Sequence, residues 1–244
     1  MVYGIWKVYQ PCQNEWIIMA DYNAIVLGGT GAVGRELIKL LAASGRCKKV
    51  IALSRRAIES SAYGTTFPGL LEEHNAKVVV HPVDFDNLKL DDFASHNADA
   101  CFCCLGTTRA DAGSAEAFIK VDLQYVTKAA ELAKEANIPY FGLLTASNAA
   151  KTSWFLYPKT KGLAEEAIKN IGFIRTGIFR PAMIRRGELA RRAERVGSYL
   201  LPAFSVSAAA VARAMLVNYE STPSTGLTTV SMKEIQALEK APAT

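Results

Sequence analysis

The chain has 244 residues, 50% of them hydrophobic and 21% charged, with 17 glycines and 9 prolines. It is too apolar and too ordinarily charged for a disordered polymer, and its length suits one large domain or two small ones. A net charge of +5 is small for a dedicated nucleic-acid binder and fits a small acidic ligand.

Residues 1–22 are expected to be an N-terminal extension, disordered or foreign to the fold, with a strand-like arm as the alternative. They hold Trp6 and Trp16 without a regular period and lack the Arg-rich amphipathic pattern of a transit peptide. Ala24-Ile25-Val26-Leu27 then forms an apolar run ending at glycines, the pattern of a strand buried on both faces. Residues 32–44 carry Val33, Leu37, Ile38, Leu40 and Leu41 at helical spacing. Second and third strands are predicted at 50–53 and 78–80, a short helix at 91–93, and a fourth strand at 100–105. A long helix over 115–136 stops near Asn137, before Pro139. Strand five follows at 140–145, a helix at 156–170 and strand six at 173–179.

Beyond Pro181 the rhythm changes. Residues 182–206 are basic and then apolar, an Ala-rich helix is expected near 207–219, and a last strand at 228–230. Ser231 and Glu234 are spaced as a capping box for a closing helix. The alternation predicts an α/β fold: a Rossmann doubly wound parallel sheet with helices on both faces. It forms one domain over 23–244, with a small C-terminal substrate lobe from about residue 182. The longest uncharged run, 196–212, contains Pro202 and is too short for a membrane span.

The five cysteines are Cys12, Cys47, Cys101, Cys103 and Cys104. The odd count, with no secretory leader, points to a reducing compartment and a cytoplasmic location. Cys101 and Cys103 should share one strand face and Cys104 the other. With His74, His81 and His96 scattered, no zinc pattern completes, so no metal is expected and the thiols read as small buried hydrophobes.

Between the first strand and first helix lies Gly28-Gly29-Thr30-Gly31-Ala32-Val33-Gly34. Glycines at 28, 31 and 34 permit a tight turn, close approach to a pyrophosphate and close helix–strand packing, which marks a dinucleotide site in this strand–turn–helix context. An NAD-selecting acid would stand at the end of strand two, where this chain has Ser54-Arg55-Arg56. Two guanidiniums there suit a 2′-phosphate, so NADP(H) is the expected cofactor. Asp84 sits where a carboxylate can accept from the adenine amino group, or equally cap the next turn. The turn Leu105-Gly106-Thr107 would end strand four beside the nicotinamide ribose.

Tyr157 and Lys161 stand four residues apart, on one face of a helix. A tyrosine is a poor acid–base near neutrality unless a cation favours its phenolate, and Lys161 can supply that charge while gripping ribose hydroxyls. A hydroxyl ending strand five would hold the substrate oxygen. Thr145 and Ser147 are the candidates, Thr145 preferred because it directly ends the apolar run.

Together these residues resemble the atypical short-chain dehydrogenases/reductases, and within them the Tat-interactive-protein oxidoreductase family with its mitochondrial-associated fungal relatives. The resemblance covers about residues 23–240. It is most specific at Cys103-Cys104-Leu105-Gly106-Thr107-Thr108-Arg109, Lys120-Val121-Asp122, Glu131-Leu132-Ala133-Lys134, Phe155-Leu156-Tyr157, Lys161-Gly162, Phe179-Arg180-Pro181 and Arg213-Ala214-Met215-Leu216. It implies tightly bound NADPH held at 28–34, Arg55 and Arg56, a Tyr157/Lys161 pair, and further cofactor contacts at Arg180 and Pro181. It also implies a regulatory role through a protein partner, and a possible mitochondrial association. The family has two serines where this chain has Thr145-Ala146; the segment after Pro181 is shorter, and residues 1–22 have no clear counterpart.

Two functions follow. One is an NADPH-dependent oxidoreductase acting on a small carbonyl or alcohol, its substrate and oligomeric state unnamed by the sequence. The other is an NADPH-binding regulatory or redox-sensing protein acting through a protein partner. Arg185, Arg186, Arg191, Arg192 and Arg195 are interleaved with Glu188 and Glu194 and lack a stacking pattern, so nucleic acid is not the expected partner.

Overall fold

A computed structural model of the protein describes residues 20–185, 205–221 and 225–240, and the backbone of two short strands near the N-terminus. Seven strands form one sheet: β1 (Tyr22–Leu27), β2 (Cys47–Ser54), β3 (Val78–Pro82), β4 (Ala100–Cys103), β5 (Tyr140–Leu144), β6 (Arg175–Arg180) and β7 (Gly226–Ser231). Their order is β7-β6-β5-β4-β1-β2-β3, and every neighbouring pair is parallel. The apolar runs behave as expected of strands covered on both sides: Ala24, Ile25, Val26 and Leu27 are each 0% exposed. The chain winds outward from β1 in one direction and from β4 in the other. The loops leaving these adjacent strands therefore diverge, opening a crevice at their carboxyl ends.

Helix α1 (Ala32–Ala43) seats Leu37, Ile38 and Leu41 in the core; burial of each such side chain is worth about 1.5–3 kcal/mol. The long predicted helix, here α2, is interrupted. It runs as Ala115–Ile119, a π turn over Lys120–Gln124, then Tyr125–Glu135. Its start is capped by Ser114, which accepts from the Ala117 N–H at 3.0 Å. It ends before Asn137, whose φ of 62° breaks the helix ahead of Pro139. Helix α3 (Leu156–Ile171) carries Pro158 in its first turn, where the missing N–H costs nothing, and ends at Gly172 in the left-handed region.

The two faces of β4 are dressed as expected. Cys101 and Cys103 join the core beneath α2 and α3, while Phe102 and the neighbouring Cys104 pack on the other side. Helices α4 (Ala208–Ser221) and α5 (Met232–Lys240) complete the C-terminal part. The Ser231 N–H donates to Glu234 Oε2 at 2.7 Å and the Glu234 N–H donates to Ser231 Oγ at 3.4 Å, as the capping box requires. A second parallel pair joins Met183–Arg185 to Ser205–Ser207, off the main sheet. Arg185 bonds Ser205 at 2.7 Å and Glu239 at 2.5 Å, so this arginine serves the lobe's packing. Arg186, Arg191, Arg192 and Arg195 lie outside the described residues.

Near the N-terminus, Lys7–Val8 and Ile17–Ile18 pair antiparallel with each other and not with the main sheet. The first sheet strand begins at Tyr22, one residue earlier than the expected boundary, and its hydroxyl donates to Glu220 at 2.6 Å. Among the described residues, no helix is long and apolar enough to cross a membrane.

The far edge of the sheet carries a pair of histidines. His81 and His96 meet edge to face at 5.0 Å, and His96 Nε2 is buried without a hydrogen-bond partner. Burial, then the charges of His81 and Lys49, hold His96 below the ordinary imidazole value of 6.5, against the opposing pull of Asp91 and Asp92. The unfolded chain therefore binds the proton first as pH falls. Stability is present above about 6.5 and is lost on acidification toward the lower folded-state value. Thermal melts are expected to show Tm falling by a few degrees from pH 7.5 to 5.5, with a flatter slope in His96→Leu.

Candidate functional site

The glycine loop is fixed from both ends. Gly28 adopts φ +75°, and the Gly31 N–H donates back to its carbonyl at 3.0 Å. A Cβ on Gly28 would stand 2.7 Å from the Cys104 carbonyl carbon, and one on Gly34 only 2.2 Å from Gly28 O. Backbone packs on backbone here, so no side chain fits. Arg35 Nε bonds Thr30 O at 2.9 Å and pins the loop from behind, a role the sequence reading missed. Helix α1 has no acidic residue in its first turn, leaving its N-terminal amides and dipole to favour an anion.

A cavity of about 450 Å³ extends from this loop past Ser54, Arg55 and Arg56, and is walled by Phe85, Tyr125 and the turn Leu105, Gly106 and Thr107. Asp84 caps its own turn, accepting from Asp86 N at 2.9 Å and Asn87 Nδ2 at 2.6 Å. It also stands at an adjoining depression with Arg55, Phe85 and Tyr125. A smaller cavity of about 200 Å³ continues on the other side of the loop. Ala32, Val33, Leu105, Thr107, Leu144, Thr145, Tyr157, Lys161 and Ile184 are among its lining residues. Glycine cradle, helix start and the two adjoining cavities fit a dinucleotide.

Helix α3 brings its functional side chains in as a stripe. Tyr157 is 41% exposed at the cavity mouth, its ring 5.9 Å from that of Phe118. Lys161, one turn on, is buried beside Asp122, whose Oδ1 stands 2.7 Å from its ammonium. Glu165, a turn further, is 2% exposed and gathers Thr145 and Arg180. The Thr145 hydroxyl donates to Glu165 Oε1 at 2.8 Å, and Arg180 pairs with both carboxylate oxygens. This pairing is what permits a buried carboxylate in the core.

The structure thus brings Thr145 to the Tyr157/Lys161 cavity, although its hydroxyl is committed to Glu165. Ser147 is exposed away from it, its N–H donating to Pro181 O at 2.8 Å. Arg180 and Pro181 support the loop after β5 and do not, among the described residues, wall either cavity. Cys104 lines both cavities, but its thiol and that of Cys101 are pushed up by burial, and Cys103 to about 12, so these sulfurs are held in the unreactive thiol form. Among the described residues no cluster of His, Cys, Asp or Glu is arranged to hold a metal.

Comparison with known proteins agrees with this geometry. The NAD(P)H-binding family profile matches residues 28–220. Protein HTATIP2 of Rattus norvegicus is 34% identical over 238 residues, 91% of each chain. Protein FMP52-1, mitochondrial, of Scheffersomyces stipitis is 36% identical over 66% of this chain and 67% of its own. Among solved structures, MoeE5 in complex with UDP-glucose and NAD superposes with a TM-score of 0.64 at 16% identity, covering 88% of this chain and 80% of that one. The terminal R domain from the myxalamid PKS-NRPS pathway gives 0.70 at 14% identity over 88% and 67%. The chain belongs to the NAD(P)H-binding, atypical short-chain dehydrogenase/reductase family that includes HTATIP2.

Proposed function

We propose that the protein is an NADPH-dependent oxidoreductase that interconverts a small carbonyl compound and its alcohol through Tyr157 and Lys161. The observation that carries this is the small cavity: Tyr157 and Lys161 share it with the start of α1 and the 105–107 turn, where the nicotinamide half of a dinucleotide would lie. The 28–34 loop, Arg55, Arg56 and the 105–107 turn would hold NADPH, which would supply hydride for the carbonyl carbon. Tyr157 gives its phenolic proton to the carbonyl oxygen, and its 41% exposure lets water restore that proton. Lys161 holds positive charge beside the developing phenolate. Thr145 is the hydroxyl positioned to steady the substrate oxygen, provided it releases Glu165.

Arg55 and Arg56 are assigned to the 2′-phosphate, where charge-assisted bonds are strong and each contributes about 1.5–3 kcal/mol. The double variant Arg55→Ala/Arg56→Ala is expected to lose at least about tenfold in NADPH affinity and to bind NADH within about twofold of the parent. Titration calorimetry with both cofactors checks this; equal losses for the two would assign the arginines elsewhere.

A second reading, an NADPH-binding regulator acting through a protein partner, is favoured by Trp154 and Phe155. They are 100% and 78% exposed, three and two residues before Tyr157, a placement that suits a docked surface. Redox sensing through the β4 cysteines is disfavoured by their raised thiols. Steady NADPH oxidation with a panel of aldehydes and quinones separates the two: turnover supports the enzyme, tight NADPH binding with none supports the regulator. The fungal relatives are named mitochondrial, which supports a mitochondrial association beside the expected cytoplasmic one.

A further inference from the structure

The most deeply buried charge beside the small cavity belongs to a residue with no part in the proton transfer above. Asp122 lies in the π turn of α2, a helix irregularity that recurs at functional sites. Its side chain is 0% exposed. Oδ2 accepts the Thr107 N–H at 2.8 Å, and Oδ1 faces the Lys161 ammonium at 2.7 Å without a well-aligned hydrogen bond. A Cβ on Gly106 would lie 3.5 Å from Lys161 Nζ and 3.6 Å from Asp122 Oδ1. One carboxylate therefore ties together α2, the turn after β4 and the lysine of α3. A bare carboxylate at zero exposure is costly, and these two donors compensate it.

We infer that Asp122 is the positioning residue of the nicotinamide end of the site, holding the Lys161 ammonium and the Thr107 backbone in one fixed relation. It acts through Lys161 and the 105–107 turn and touches neither substrate nor the reacting atoms. The turn lines both cavities, so Asp122 sets the wall against which the nicotinamide ribose docks and the place of the cation that serves it. The adenosine end, built from Arg55, Arg56 and Phe85, has no contact with this carboxylate and is independent of it. The inference rests on reading the cavities as an NADPH site.

Asp122→Asn keeps an oxygen for the Thr107 N–H and removes the charge that holds Lys161. In the full chain, NADPH and 2′,5′-ADP, a fragment that lacks the nicotinamide half, are titrated against parent and variant. The variant is expected to bind NADPH about tenfold more weakly and 2′,5′-ADP within about twofold of the parent. Parental NADPH affinity in the variant, or equal weakening of both ligands, overturns the inference. If the single variant does not fold, Asp122→Asn/Lys161→Met removes both buried charges together. That double variant is expected to fold, to keep 2′,5′-ADP affinity and to lose NADPH affinity about tenfold. Parental NADPH affinity in it, or failure to fold, makes the pair structural only and also overturns the inference. A parental chain that binds neither ligand overturns the proposed function itself, which keeps the two failures distinguishable.

Discussion

Tyr157→Phe is expected to lower kcat for NADPH-dependent carbonyl reduction by about 10²–10⁴, the usual contribution of a positioned general acid. The substitution removes one oxygen and keeps the ring, so the packing against Phe118 at 5.9 Å survives. Tyr157 sits at the cavity mouth, 41% exposed, and the hydroxyl it loses is one that water already reaches. Stability should therefore hardly move, with Tm within about 2 °C of the parent. NADPH affinity is expected to fall by no more than a few-fold, reflecting a lost ribose contact. Single-turnover kinetics with the best carbonyl substrate would separate these effects. A variant that retains full turnover would remove Tyr157 from the chemistry.

The second large effect is expected at Gly34→Ala. In an ordinary exposed helix this change stabilises by close to 1 kcal/mol, because alanine loses less entropy on folding. Here the added Cβ would stand 2.2 Å from Gly28 O and 2.7 Å from Gly29 Cα. Both neighbours are backbone, so no rotamer change relieves the clash, and the loop must pull away from α1. The expected cost is about 3 kcal/mol or more, roughly a 10 °C fall in Tm for a chain of this size. NADPH affinity should fall at least about 100-fold, since the displaced amides are those facing the phosphates. Gly45→Ala is the control: its Cβ would meet nothing within 4 Å, and the variant should melt and bind like the parent. An unchanged Gly34→Ala would show that the loop is not the close-packed cradle described.

Much of the fold is legible locally. A strand buried on both faces needs an unbroken apolar run, so Ala24 to Leu27 and Tyr140 to Leu144 announce themselves. Amphipathic spacing does the same for α1 and α3, and the Ser231/Glu234 box for α5. The glycine loop was legible because its function is a backbone conformation that only certain residue types allow. Asp122 shows where this stops. It lies four residues from both Phe118 and Val126, which are buried, so a carboxylate on an apolar stripe was the available signal. The π turn around it has no such signature, because it arises from how α2 is fitted against its neighbours.

Composition and pattern alone therefore determined a parallel α/β sheet, a dinucleotide loop with arginines at its far end, and a Tyr157/Lys161 pair on one helical turn. Only the tertiary structure decided how those groups are employed. It set Lys161 on Asp122, turned the Thr145 hydroxyl and the Arg180 guanidinium onto Glu165, and left Ser147 outside the cavity. The difference is physical: backbone conformation and burial follow from neighbours a few residues away, whereas the partner of a buried charge is chosen by which strands lie side by side.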